Sequence, residues 1–328
     1  MTDPTVPTPL ADDIPSHAPV APARILLTGA TGFIGSHLAA RLIADGHAVH
    51  AIVRPASNLD LLNAVTSTLP ADRLILHPFA GDTGELAAIV ARARPEVVFH
   101  VASRFIARHA PADVTGLVAA NVLFGTQLLD AMAAHGVVRL VNTGTAWQHY
   151  QGAAYDPVNL YAATKQAFEA VARYYAQAAG VRILTLKLFD TYGPRDPRRK
   201  LIPLLREAIR TGRPLPLSGG EQKLDPVYVD DVTDAYARAA ARLLGGGGVA
   251  PAEAPEEGYA VATGAPLTLR ELVVRIEGVI GAAVPVAWGA LPYRAREVMT
   301  PWPGGRPVPG WRPRVSLDEG LRRTFGAA

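Results

Sequence analysis

The chain has 328 residues, 49% hydrophobic and 19% charged, an ordinary globular balance long enough for one large domain or two closely packed ones. A formal net charge of +3 is no nucleic-acid signature and suits an anionic small substrate equally well. Without cysteine, disulfides, thiol nucleophiles and Cys-ligated zinc are excluded, and the nine histidines form no HExxH pair, so no metal site is expected.

Residues 1–22, rich in Pro, Thr, Ala and Asp, lack the basic start and apolar run of a secretory signal and read as a disordered tail. No stretch reads as long and apolar enough to cross a bilayer. The apolar run Ile25-Leu26-Leu27 then leads into Gly29, Gly32 and Gly35, and an amphipathic stretch follows from Phe33 to Ala44. This predicts strand, tight turn and helix. Gly29 permits the turn, Gly32 lets the backbone approach a pyrophosphate, and Gly35 lets helix and strand pack closely. Thr31, Phe33 and Ile34 complete the candidate cofactor loop, with the helix N–H groups aimed at the phosphates. Many βα turns are Gly-rich; a place at the first strand of an alternating α/β chain is what points to a dinucleotide.

His47 to Val53 reads as a second strand, followed by Arg54, Ser57 and Asn58. An NAD-binding chain usually carries an Asp or Glu here for the ribose 2′-hydroxyl, whereas a basic residue accommodates a 2′-phosphate. NADP(H) is therefore placed ahead of NAD(H), against the alternative that Arg54 is a solvated loop residue. Arg73 to Phe79 is a third strand. Asp82 after it either reaches the adenine amino group or caps the helix near 84–93. Glu96 to Val101 is a fourth strand, with Ala102 and Ser103 at the edge where ligands bind in open parallel sheets, and His100 reads as a packed core residue.

A helical pattern covers about 114–135 and contains Asn121. Val137 to Asn142 is a fifth strand, ending in Thr143-Gly144-Thr145-Ala146-Trp147, which puts two hydroxyls at the sheet edge. Past a loop at 148–157, a helix opens near Asn159 and runs to about 179. Tyr161 and Lys165, four apart, share one face of it. Arg182 to Phe189 is a sixth strand. The loop beyond it carries Arg195, Arg198, Arg199 and Lys200, as an anion-facing lid or a solvated mobile segment.

After residue 190 the alternation loosens. A helix is expected over 201–211 and a short strand at 227–229, with Asp230 or Asp231 capping a helix that ends near Leu244. Gly245 to Gly248 opens a flexible linker reaching about Gly258. A strand at 259–263, a helix at 268–280 and a last helix near Ser316 follow. The expected fold is α/β, a doubly wound parallel sheet. Its dinucleotide domain comprises 23–189 and about 224–245, and a substrate lobe comprises 190–223 and 259–328.

Together these pieces resemble the extended short-chain dehydrogenase/reductase family that acts on nucleotide sugars. TGATGFIG matches its cofactor loop, Thr145 its catalytic Ser/Thr, and Tyr161-Ala-Ala-Thr-Lys165 its YxxxK pair; YGP at 192–194 and LDPVYVDDV at 224–232 match later landmarks. The resemblance implies that Tyr161 carries a proton and that Lys165 favours the phenolate, bringing the tyrosine from near ~10 toward the working pH. It also implies that Lys165 bonds the nicotinamide ribose, that Thr145 holds the reacting oxygen, and that Asn121 positions a water behind the lysine. Substrate contacts are expected from Arg104, Thr143, Thr145, Asp190, Lys200, Lys223 and Arg294.

Dehydratases of the family carry an Asp-Glu pair after the catalytic Thr, where Ala146-Trp147 stands here. NTGTAWQHY, NLYAATKQAFE, LKLFDTYGP and YRAREVM look most like the CDP-abequose synthase group, NADPH-dependent reductases of nucleotide-linked 4-keto deoxysugars. Asp190 replaces the family's Asn, and Leu224 its Arg, whose diphosphate contact passes to Lys223, Arg294 or Arg296, with Arg294 preferred. The alternatives are an NAD-dependent 4-epimerase, a plain reductase of small aldehydes or ketones, and a non-catalytic NADP-binding regulator. Family members commonly dimerise through helices matching 114–135 and 158–179, which implies a cytoplasmic homodimer with no nucleic-acid or membrane partner.

Overall fold

A computed structural model describes residues 21–246 and 248–326; most of the expected tail, residues 1–20, lies outside the described residues, as does Gly247 in the expected linker. The first half alternates strictly: β1 (Arg24–Thr28), α1 (Phe33–Ala44), β2 (Ala48–Val53), α2 (Asp60–Thr66), β3 (Leu74–Pro78), α3 (Thr83–Ala93) and β4 (Val97–His100). A long helical run follows as α4 (Val114–Val118), a π turn (Ala119–Leu123) and α5 (Phe124–Ala134). Then come β5 (Arg139–Thr145), α6 (Leu160–Ala179), β6 (Arg182–Leu188), β7 (Asp190–Tyr192), α7 (Leu201–Thr211), β8 (Leu215–Pro216), β9 (Lys223–Leu224) and β10 (Pro226–Tyr228). The chain closes with α8 (Val229–Leu244), β11 (Glu256–Val261), β12 (Leu267–Thr268), α9 (Leu269–Ile280), β13 (Val286–Ala287) and α10 (Leu317–Gly326).

Seven strands form one parallel sheet in the order β11-β6-β5-β4-β1-β2-β3. Its central strands are buried on both faces, which is why β1 and β4 read as unbroken apolar runs. Leu38 and Leu42 of α1, Leu62 of α2 and Tyr236 of α8 pack on one face; Leu86 of α3, Leu128 and Met132 of α5 and Phe168 of α6 pack on the other. The strand order reverses between β1 and β4, where Thr28 pairs with His100, and this opens a crevice at their carboxyl ends. A third core, with Leu205 of α7, Leu272 and Ile276 of α9 and Leu321 of α10, forms the smaller lobe beside that crevice.

Several expectations change. β11 begins at Glu256 and is the edge strand of the main sheet, so 256–258 is not linker and 259–261 belongs to the sheet rather than the substrate lobe. Its signal was masked by the charged pair Glu256-Glu257. Glu257 is buried and takes two bonds from Arg242, at 2.7 and 3.0 Å, and one from the Tyr259 hydroxyl at 2.6 Å. Neither Asp230 nor Asp231 caps α8; Asp231 accepts the backbone N–H groups of Arg314 and Val315 instead, tying the C-terminal segment down. The helical run Pro111–Ala134 is, at 24 residues, long and apolar enough to cross a membrane by length and composition, against the reading of the sequence. Here it is a layer helix: α5 packs on α3 and α6, and its π turn points Asn121 into the protein.

Burial pushes the Glu257 carboxyl up, but the bonds from Arg242, Tyr259 and the N–H groups of Glu253 and Ala254 outweigh it and hold it down at about 2. The carboxylate therefore contributes stability above the unfolded value of ~4.3, and that contribution is lost as pH falls toward about 2. Glu257→Gln leaves Arg242 buried without its partner and is expected to cost about 3–5 kcal/mol. Melting curves from pH 7 to 3 check this: the wild type should lose stability on acidification and the variant much less.

Candidate active site

The glycine turn fits a bound dinucleotide. Gly29 has φ +78°, and a Cβ on it would lie 2.6 Å from the Ala102 nitrogen; one on Gly35 would lie 2.1 Å from the Gly29 carbonyl oxygen. Only bare backbone lets β1, α1 and the end of β4 approach this closely. The N-cap of α1 is Gly32, which offers no side chain to cap the first-turn N–H groups, leaving them for an anion.

A cavity of about 980 Å³ begins at this turn. Its cofactor half is lined by Gly29, Thr31, Gly32, Phe33, Ile34 and Gly35, by Arg54 and Ser57 after β2, and by Ala102 and Ser103 after β4. Arg54 is exposed and forms no ion pair among the described residues, while the Ser57 N–H closes a turn onto the Arg54 carbonyl at 2.9 Å. Three expected cofactor residues, Asn58, Asp82 and Lys165, are absent from the lining. Asn58 spends its amide on Asp60, accepting its N–H at 2.7 Å and donating to its carboxylate at 3.0 Å. Asp82 accepts the Glu85 N–H at 2.9 Å and so caps α3, one of the two roles expected of it. Both carry short side chains at helix starts, where local backbone bonds compete best.

At the floor, β5 runs three residues further than expected, through Thr145. Thr145 lines the cavity and its Oγ1 accepts the Trp147 N–H at 3.3 Å. Thr143 also lines it, but its hydroxyl donates to the His100 carbonyl at 2.8 Å and meets the Tyr236 hydroxyl at 2.6 Å, which leaves it little to offer a substrate. The N-cap Asn159 starts α6 by accepting the Ala162 N–H at 3.0 Å, and this turns Tyr161 into the cavity. Lys165, one turn on, is buried. Burial pushes its ammonium down to about 8, against the Glu169 charge. His100 is buried beside Phe124 and Phe168 and driven down to about 3 by burial and then by Lys165, as suits a packed core residue.

One expectation about this centre is corrected, and the side chain of Asn121 takes a second role. Tyr161 is not lowered: burial pushes it up to about 12, and the groups that oppose burial are the Ser103 hydroxyl bonded to it and the Arg198 charge. The side-chain amide of Asn121 has no capacity left for a water. Its oxygen accepts from Ser103 Oγ at 3.2 Å and from the Arg104 N–H at 2.8 Å; its nitrogen donates to the Arg104 carbonyl at 3.0 Å and Thr164 Oγ1 at 2.9 Å. It clamps the segment that leaves β4 to α6, and thereby fixes Ser103 against Tyr161.

Arg104, Asp190, Lys200, Lys223 and Arg294 all line the other half of the cavity. Arg104 pairs with Asp113 at 3.1 Å and lies over Gly116, where a Cβ would sit 2.4 Å from its guanidinium. Lys200 stands 4.6 Å over the Phe105 ring, pushed down to about 8 by burial and then by Arg198. Burial also raises Asp190, with Lys200 opposing. Arg294 pairs with Glu297 and lies 5.2 Å from the Trp147 ring. Arg296 is not in the lining; it pairs with Asp156 and covers Tyr150. The basic loop packs onto the site: Arg198 pairs with Asp196 at 2.7 Å, donates to the Thr191 carbonyl and stands 4.5 Å over the Phe33 ring.

The sequence reading missed the aromatic wall of His149 and Trp302, stacked at 3.9 Å, because 149 and 302 are brought together only by folding. It also missed Gln148 and Glu169. Glu169 had a signal, since it follows Lys165 by one helical turn on the same face.

Residues 25–248 match the NAD dependent epimerase/dehydratase family. UDP-glucose 4-epimerase of Mycolicibacterium smegmatis is 30% identical over 335 residues, covering 92% of this chain and 97% of that protein. CDP-abequose synthase of Salmonella muenchen is 25% identical and covers 92% and 96%. The crystal structure of Thermus thermophilus UDP-glucose 4-epimerase in complex with NAD superposes with a TM-score of 0.73 at 27% identity, covering 92% and 98%. With this match over the glycine turn, Thr145, Tyr161 and Lys165, the chain belongs to the NAD-dependent epimerase/dehydratase family, enzymes of the extended short-chain dehydrogenase/reductase type that act on nucleotide sugars with NAD(P).

Proposed function

We propose that the enzyme is an NADPH-dependent reductase of a nucleotide-linked 4-keto deoxysugar, of the kind represented by CDP-abequose synthase. The observation that carries this reading is Arg54, exposed at the rim where β2 ends and unpaired among the described residues; a basic residue there suits a 2′-phosphate. When bound, the cofactor supplies the hydride. Thr145 Oγ1 holds the ketone oxygen. Tyr161, pushed up to about 12, keeps its proton at neutral pH and delivers it from the phenol oxygen to the new hydroxyl. The Lys165 ammonium stabilises the phenolate left behind. Ala146-Trp147 place no carboxylate beside Thr145 to eliminate water, which speaks against a dehydratase. Lys200, Lys223 and Arg294 suit the substrate diphosphate.

Fluorescence titration of nucleotide-free protein tests the reading. Strong preference for NADPH over NADH is expected. Arg54→Ala should weaken NADPH by about 10–100-fold, the worth of a charge-assisted contact, and leave NADH nearly unchanged. The 30% identical UDP-glucose 4-epimerase favours a second reading, a 4-epimerase; tightly retained NAD in purified protein would make it the leading one.

We also propose a cytoplasmic homodimer. Val114, Val118 and Leu123 on the 114–134 run and Tyr174 on α6 are exposed apolar groups on the expected helix pair. Sedimentation at micromolar concentration should give a dimer, and a monomer alone would refute it.

A further inference from the structure

All four lysines of the chain, Lys165, Lys187, Lys200 and Lys223, lie in or beside this site. Three have an evident place in it. The fourth, Lys187 on β6, is buried and points at Glu169 of α6, with both carboxylate oxygens 3.0 Å from its Nζ. The same carboxylate accepts from Gln148 Nε2 at 2.9 Å. The other end of that amide, Gln148 Oε1, accepts the Thr145 N–H at 2.9 Å, and Gln148 is fully buried. Gly144 makes room for the arrangement: a Cβ there would lie 3.0 Å from Gln148 Oε1 and 3.1 Å from Glu169 Oε1.

An ion pair between a buried lysine and a half-buried glutamate is costly to assemble and needs extra bonds to hold it. Here those bonds run to the backbone of Thr145. Glu169 also sits one helical turn beyond Lys165, and its charge opposes the burial of that ammonium. We propose that Glu169 is a positioning residue of this site: its carboxylate braces the Thr145 end of β5 through Gln148 and supplies the negative charge that faces the Lys165 ammonium. The inference rests on the reading of Thr145, Tyr161 and Lys165 as the reacting centre. Other groups meet the pair from each side. His100 at the end of β4 feels the Lys165 charge, Tyr161 shares α6, and His149 after β5 feels both Lys187 and Glu169. Asp130 on α5 is turned to Tyr175 further along.

With only four lysines, the full-length protein labelled with [ε-13C]lysine gives a readable NMR titration without any substrate. The Lys165 signal is identified by its loss in Lys165→Met. In the wild type it should titrate near pH 8. Glu169→Gln should lower that midpoint by about half a unit or more, roughly threefold in acid constant. Lys187→Gln, which leaves the carboxylate without its cation, should raise it. Should Glu169→Gln fail to fold, Glu169→Asp, which keeps the charge but draws the carboxylate back by one methylene, should lower the midpoint in its place. A midpoint unmoved in the folded variants overturns the proposal, because a merely structural brace would leave Lys165 titrating as before. The catalytic reading is tested separately: turnover that survives Tyr161→Phe would sink that reading while leaving the lysine titration intact.

Discussion

Tyr161→Phe is expected to lower turnover by about 10²–10⁴-fold, the usual worth of a positioned general acid, while changing NADPH affinity by no more than about twofold. The tyrosine stands inside the cavity at the start of α6, bonded to Ser103 and within the field of Arg198. Only its hydroxyl is removed, so the ring keeps its edge contact with Phe105 at 5.0 Å and the fold should be unaffected. Stopped-flow loss of NADPH fluorescence with a 4-keto nucleotide sugar would measure the effect. The accompanying pH dependence has a definite sign. Tyr161 holds its proton up to about 12, but Lys165 is pushed down to about 8. The ammonium is present below about pH 8 and is lost above it, so reduction should slow as pH rises through that value rather than through that of free lysine, near ~10.4. Unchanged biological activity in the Phe variant would instead favour the non-catalytic regulator.

Gly35→Ala should nearly abolish cofactor binding. The added Cβ would stand 2.1 Å from the Gly29 carbonyl oxygen, a backbone atom with no flexible side chain to yield. Relief requires α1 to move away from β1, and overpacking of this kind costs about 1–3 kcal/mol even where neighbours can adjust. Moving the helix also moves the N–H groups meant for the pyrophosphate. A loss of about 100-fold or more in NADPH affinity is expected, with a modest fall in melting temperature. Gly46 makes a useful control, since a Cβ there would meet nothing within 4 Å. Its positive φ of +91° still strains an alanine, so Gly46→Ala should cost some stability and leave NADPH binding intact.

The fold was largely legible because each part of it is written locally. β1 and β4 are apolar runs and α6 carries both its cap Asn159 and its YxxxK face, so strand, helix and site edge follow from nearest neighbours. β11 was displaced because Glu256 and Glu257 contradict a buried strand. Arg242, fifteen residues back on another element, neutralises Glu257. Asp231 resembles a helix cap by position but serves residues 314 and 315, a contact no local pattern can announce.

The chemistry divides the same way. From sequence alone came the residue types and spacings that hydride and proton transfer require: a glycine turn, a threonine ending a strand, a tyrosine and lysine one turn apart, and an arginine where an acid is usual. Tertiary structure decided how these groups behave. Burial raises Tyr161 and lowers Lys165, Asn121 is consumed in a clamp, and Asp82 and Asn58 are drawn into their own helix starts. It also brought Glu169, Lys187 and Gln148 together behind Thr145. Spacing along a chain sets which groups can share a face, whereas desolvation and competition for hydrogen bonds depend on everything packed around them.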